Sequence, residues 1–120
     1  MGLSFRPVKE TWNIFSPCFI EAEQLTKLLV ALADRVDTNS HERFYGDNTA
    51  VWIEDGARVL EFIETDQSFD FDFVTTSLGE GIEIDRGAIN SLVENMKTLA
   101  AERRSSIGER GELVFYVDAY

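Results

Sequence analysis

Cysteine is nearly missing from this 120-residue sequence. Cys18 stands alone, so no intramolecular disulfide can form, and a reducing compartment is the expected setting. Its ordinary role is a small apolar filler near a helix start. Histidine is equally scarce: His41 is the only one, which excludes a multi-histidine zinc site or a facial triad. Long apolar runs are lacking too. The longest, Leu28 to Ala33, falls far short of the roughly 20 residues that span a bilayer. Arg6, Lys9 and Glu10 interrupt the N-terminal stretch where a signal peptide needs an apolar run, so a cytoplasmic protein is expected. Gly2 invites N-myristoylation, but Arg6 occupies the position where serine or threonine is wanted. Bases are outnumbered, 11 Lys+Arg against 22 Asp+Glu, for a net charge of −11 and a pI near 4.4. A surface of that sign repels a phosphate backbone and argues against nucleic acid as a partner.

What is present is enough for a core. The apolar fraction is 44%, with nine Phe and two Trp, which excludes a disordered acidic tail. The length suits a single domain over 1–120. Ser16-Pro17 reads as a helix start, followed by Ile20, Leu25, Leu28, Leu29, Leu32 and Val36 at helical spacing. Asp37 to Ser40 ends that helix. Asp85 caps a second, whose stripe is Ile89, Leu92, Val93, Met96, Leu99 and Ala100, with Arg103 and Arg104 suited to its negative end. Between them the pattern reads as a period of two. Thr49–Glu54, the dipeptide Asp55-Gly56, and Ala57–Glu64 carry a hairpin pattern, because Asp-Gly supplies a type I′ turn. Thr65–Ser68 makes a second turn, and Phe69–Thr76 a further strand. Leu3–Phe15 is β-tending, with Pro7 at an edge or bend, and Leu113–Val117 is a last strand. The expected fold class is α+β: a mainly antiparallel sheet of about four to six strands with two amphipathic helices packed on one face.

The charge is not spread evenly. Glu54 to Asp85 holds ten acids and one base, Arg58, for −9 in 32 residues; the other 88 carry −2. In the hairpin register, Glu61 lies opposite Asp72, and Val51, Ile53, Leu60, Phe62, Phe71 and Phe73 form the core side. The other side shows Trp52, Glu54, Val59, Glu61, Ile63, Asp70, Asp72 and Val74. Like charges facing each other across strands destabilise a sheet, so stability alone does not favour that face. An aromatic anchor and aliphatics ringed by acids resemble an interface for a basic protein. The candidate contact set is Trp52, Glu54, Glu61, Asp70 and Asp72, with Glu80 and Glu83 at the rim.

The residue patterns name no reaction. Strand alternation puts Asp70 and Asp72 on one side, where with Glu61 they offer oxygen ligands to Mg²⁺ or Ca²⁺. The stretch Asp66–Asp70, however, lacks the glycine and distal glutamate of a calcium loop. His41 lies in a polar, loop-like stretch, Asn39–Arg43, and no G-x-S-x-G accompanies it. Gly79-Glu80-Gly81 lacks the third glycine and the lysine of a phosphate loop, and separates a strand from a helix. Paired carboxylates for glycoside hydrolysis are present by type, but a domain this small offers little cleft. No enzyme activity, metal or cofactor is expected.

In kind, a single cytosolic α+β domain with its acidity gathered on one surface and no catalytic motif resembles the small acidic immunity proteins of bacterial contact-dependent and other polymorphic toxin systems. That resemblance implies tight one-to-one binding to a cognate basic toxin domain, often a nuclease, with acids covering its basic active site; charge and the short apolar runs argue separately against nucleic acid and membrane as partners. Complementary charge would speed the encounter. Trp52, Glu61, Asp70 and Asp72 would carry the contact. A phage-encoded inhibitor that mimics DNA, and a non-catalytic adaptor subunit, are the alternatives.

Overall fold

The computed structural model describes residues 2–7, 12–15, 22–45, 48–79, 85–103 and 111–118. They form, in order, β1 (Gly2–Pro7), β2 (Trp12–Phe15), α1 (Ala22–Arg35), β3 (Ser40–Tyr45), β4 (Asn48–Ile53), α2 (Gly56–Thr65), α3 (Phe71–Leu78), α4 (Arg86–Arg103) and β5 (Leu113–Asp118). The strands make one sheet in the order β2-β1-β5-β4-β3, every neighbouring pair antiparallel. The last strand in sequence is thus the middle one in space, stitching an N-terminal hairpin to the β3–β4 pair. α1 packs on β4 and β5, α4 reaches β2, and α2 and α3 pack chiefly on α4 and α1. The Cα radius of gyration is 13.0 Å, as a compact chain of this length requires. Among the described residues no helix is long and apolar enough to cross a membrane.

This arrangement corrects the expected fold class. Among the described residues four helices are present, not two, and the residues expected to form the second and third strands of a meander are helical. Asp55-Gly56 does not turn a hairpin. Asp55 is the N-cap of α2, its Oδ1 accepting the N–H of Arg58 at 3.3 Å. Gly56 opens the helix and donates its N–H to the carbonyl of Gly111 at 2.9 Å. Asp-Gly therefore serves equally well as a hairpin turn and as a cap followed by a first helical residue. Val59, Leu60 and Ile63 lie on one helical stripe and are fully buried, with Phe62 beside them. The strand register had placed Val59, Ile63 and Val74 on the outer side; all three are core.

For Phe71–Leu78 the correction runs against local preference. Two threonines and two phenylalanines favour a strand. The helix is held instead by Asp70, whose Oδ1 accepts the N–H of Phe73 at 2.9 Å, and by Val74 and Leu78, one turn apart and buried. The Thr75 hydroxyl donates to the carbonyl of Phe71 at 2.9 Å, so a residue poor in helix propensity is satisfied locally. Gly79 closes the helix at φ +88°, a conformation that disfavours side chains. It separates two helices rather than a strand and a helix.

His41 is corrected as well. It lies in β3, opposite Trp52, not in a loop. The remaining elements stand where the patterns placed them: α4 begins after Asp85, whose Oδ1 accepts the N–H of Ala88 at 3.1 Å, and β5 covers the expected last strand. Cys18 and Ser16-Pro17 lie outside the described residues.

One core joins the layers. Val51 and Ile53 of β4 and Leu113 of β5 meet Leu25, Leu28, Leu29 and Leu32 of α1 and Ile89, Leu92 and Met96 of α4. Across the α2–α3 turn, Phe62, Phe69 and Phe73 form a triad with centroids 5.4 to 6.1 Å apart. Edge-on contacts of this kind add about 0.5–1.5 kcal/mol each beyond burial. Arg35 stands 5.3 Å over Phe62 and Lys97 5.4 Å over Phe69.

Candidate functional site

The expected sheet face does not exist, and its residues are dispersed. Trp52 sits in β4, half-buried, between Val114 and His41 in the register. Alternation puts it on the side of the sheet away from Val51 and Ile53. Glu54 follows β4 and is exposed, its Oε2 accepting from Asn39 Nδ2 at 2.8 Å. Glu61 is exposed in the middle of α2, and Asp72 is exposed in the first turn of α3. The cross-strand Glu61–Asp72 pair is therefore removed, because neither residue is in a strand. Asp70 is the cap described above, and its carboxylate is engaged by the helix it starts. Glu80 and Glu83 lie outside the described residues.

Much of the acid excess has a structural cause. Three helices are capped from within the segment: Asp55, Asp70 and Asp85 each supply the oxygen that accepts a first-turn N–H. A carboxylate there is favoured by the hydrogen bond and by the helix dipole, about 1 kcal/mol for the cap. Asp66 ends α2 and accepts the N–H of Ser68 at 2.8 Å. Those Ser68 hydrogen bonds, backbone first and then hydroxyl, hold the Asp66 carboxyl below its usual value, aided by the charges of Arg35 and Lys97. Lys97 also donates to the carbonyl of Ile63 at 3.2 Å, covering the last turn of α2.

A second set of acids is gathered by the fold. Where β3 and β5 begin and β4 ends, Asp37, Glu54, Asp55 and Glu112 line a cleft of about 390 Å³, with Arg58 the one cation among the described residues of its wall. Thr38 and Asn39 complete that wall and tie its sides together. The N–H of Asp55 donates to the Thr38 hydroxyl at 3.1 Å, and that of Glu54 to the Asn39 carbonyl at 3.0 Å. Asp37 takes φ +55°, a left-handed conformation that aspartate tolerates at a helix end. Arg58 is shared with a smaller cleft of about 270 Å³, which places Glu61 and Asp66 beside Arg35 and Phe62.

Of the expected contact residues, the larger cleft contains Glu54 and the smaller one Glu61. Asp37, Arg58 and Glu112 were missed. Asp37 and Glu112 fall outside the acid-rich window, and only the strand order β5-β4-β3 brings them to Glu54. Their sole sequence signal is position: each sits at the end of an element. The cleft is lined, among the described residues, by four carboxylates and one guanidinium, an anionic recess suited to a guanidinium or ammonium group. Among the described residues no three Asp, Glu, His or Cys side chains converge as a metal-holding group. No family model, curated protein or solved structure matches the chain.

Proposed function

We propose that this chain is a non-catalytic binding domain that neutralises a basic protein, after the manner of the acidic immunity proteins it resembles, in the cytoplasm of a bacterium. The observation that carries the reading is the cleft lined by Asp37, Glu54, Asp55 and Glu112 together with Arg58. Stability gains little from setting four carboxylates about one cation on a surface; a partner that brings lysine or arginine removes that repulsion. The contact set moves accordingly. Glu54 and Glu61 stay in it, Asp37 and Glu112 join it, and Asp70 leaves it because its carboxylate caps α3, just as that of Asp55 is engaged in capping α2.

The test is a pull-down from the source cell with the wild-type chain and a Glu54→Lys/Glu112→Lys double variant as baits. Recovery of a basic toxin domain by the wild type, reduced at least tenfold with the variant, supports the reading. Equal recovery by both overturns it, as does turnover of a substrate with no partner bound.

A further inference from the structure

Resting on that reading, we infer that the basic partner binds by adding an extended strand to the β3 edge, with its cationic side chains running into the acidic cleft. Among the described residues β3 pairs on one side only, with β4, through all six positions Ser40–Tyr45. In an antiparallel strand, alternate residues turn their N–H and C=O outward, so the far side of β3 is a row of donors and acceptors that a strand can match. The opposite edge, β2, has four residues and a shorter row.

Charge complementarity chooses the occupant. The chain leading into β3 is Asp37, Thr38 and Asn39, which forms one wall of the cleft that also holds Glu54, Asp55 and Glu112. A strand laid antiparallel on β3 and continued past Ser40 passes along that wall. Lysine or arginine there comes first to Asp37, while Glu54, Asp55 and Glu112 line the same cleft further in, toward β4 and β5. A second copy of the chain is a poorer occupant. A two-fold pairing of β3 with itself centres on Glu42 or Arg43, both exposed, and sets like charges opposite each other. The same charged side chains guard the edge against indiscriminate pairing, leaving it to a strand whose charge suits the cleft.

The test uses the wild-type chain and synthetic peptides, so no variant has to fold. The probe is a peptide of alternating lysine and valine, compared with its glutamate–valine counterpart and with a lysine–valine peptide N-methylated at every residue, so that neither strand edge keeps an N–H donor. N-methylation keeps the charge and removes the strand hydrogen bonds. Binding of the lysine–valine peptide is expected, with slowed amide hydrogen exchange at alternate residues of Ser40–Tyr45. The N-methylated peptide is expected to bind about tenfold more weakly or worse, from the loss of several backbone bonds. Equal binding of the N-methylated peptide, or protection elsewhere, overturns strand addition and leaves the charge reading intact. No binding of the lysine–valine peptide, or equal binding of the glutamate one, also overturns it. Failure of the proposed function is read separately, from the cleft variants in the pull-down.

Discussion

The α2–α3 turn and the cleft at the end of the sheet are both rich in carboxylates, and they use them in opposite ways. At the turn, Asp66 and Asp70 accept backbone N–H groups, Lys97 covers the helix end, and three phenylalanines close the space beneath. At the cleft, Asp37, Glu54 and Glu112 are drawn from three separate connections around a cavity. The first region consumes its charge in holding backbone. The second displays it. A net charge of −11 is therefore a sum of two quantities with different physical origins.

The largest expected effect breaks the turn. Phe69→Ala removes a fully buried ring from the triad and should cost about 3–5 kcal/mol, read by urea denaturation. A loss below about 1 kcal/mol would mean the triad is not packed as described. Next comes the junction between turn and cleft. A Cβ at Gly56 would lie 2.6 Å from both the Gly111 carbonyl oxygen and the Leu113 Cβ. Gly56→Ala should therefore destabilise by about 1–3 kcal/mol, although alanine is the better helix former. A stabilised variant would show that α2 does not start against β5.

A smaller effect separates the two uses of acid on a single helix. Asp70→Ala loses the cap of α3 and should cost about 1 kcal/mol. Asp72→Ala, exposed two residues later, should stay within about 0.5 kcal/mol. Equal costs would erase the distinction. Glu54→Lys/Glu112→Lys should likewise leave stability nearly unchanged while weakening partner binding. The smallest effect is a pH dependence. Folding lowers the Asp66 pKa below 3.8, so its stabilisation is fully present above that unfolded value and fades as pH falls through the folded one. The stability difference between wild type and Asp66→Asn should be flat above about pH 5 and shrink toward pH 3. A difference that grows on acidification would reverse the assignment.

How much could be read in advance depended on whether one period fitted better than another. α1 and α4 carry long stripes with only one reading, Leu25 to Leu32 and Ile89 to Ala100, and both are helices. In α2, Leu60 and Phe62 stand two apart while Val59 and Ile63 stand four apart, so a short segment fits strand and helix alike. α3 is eight residues long and carries strand-forming side chains; burial of Val74 and Leu78 against other helices settles it. The misread segment also carried the site. With α2 and α3 as strands, Glu61, Asp70 and Asp72 share a face; as helices they do not. Glu54 kept its place among the functional candidates because it follows a strand that was read correctly, although its cleft partners lay elsewhere in the chain.

By itself the sequence determined the acidity and its concentration in Glu54–Asp85, the core-forming apolar content, the two long helices and the terminal strand. These are properties of composition and of local periodicity, and no distant residue is needed to establish them. Only the tertiary structure decided which aspartates are caps, that β5 lies between β1 and β4, and that Asp37 and Glu112 stand beside Glu54. The reason is physical. A carboxylate becomes a cap or a contact according to which backbone N–H or which neighbour comes within hydrogen-bond reach. That is settled by the burial of Val59, Ile63 and Val74 in a shared core, not by the carboxylates themselves.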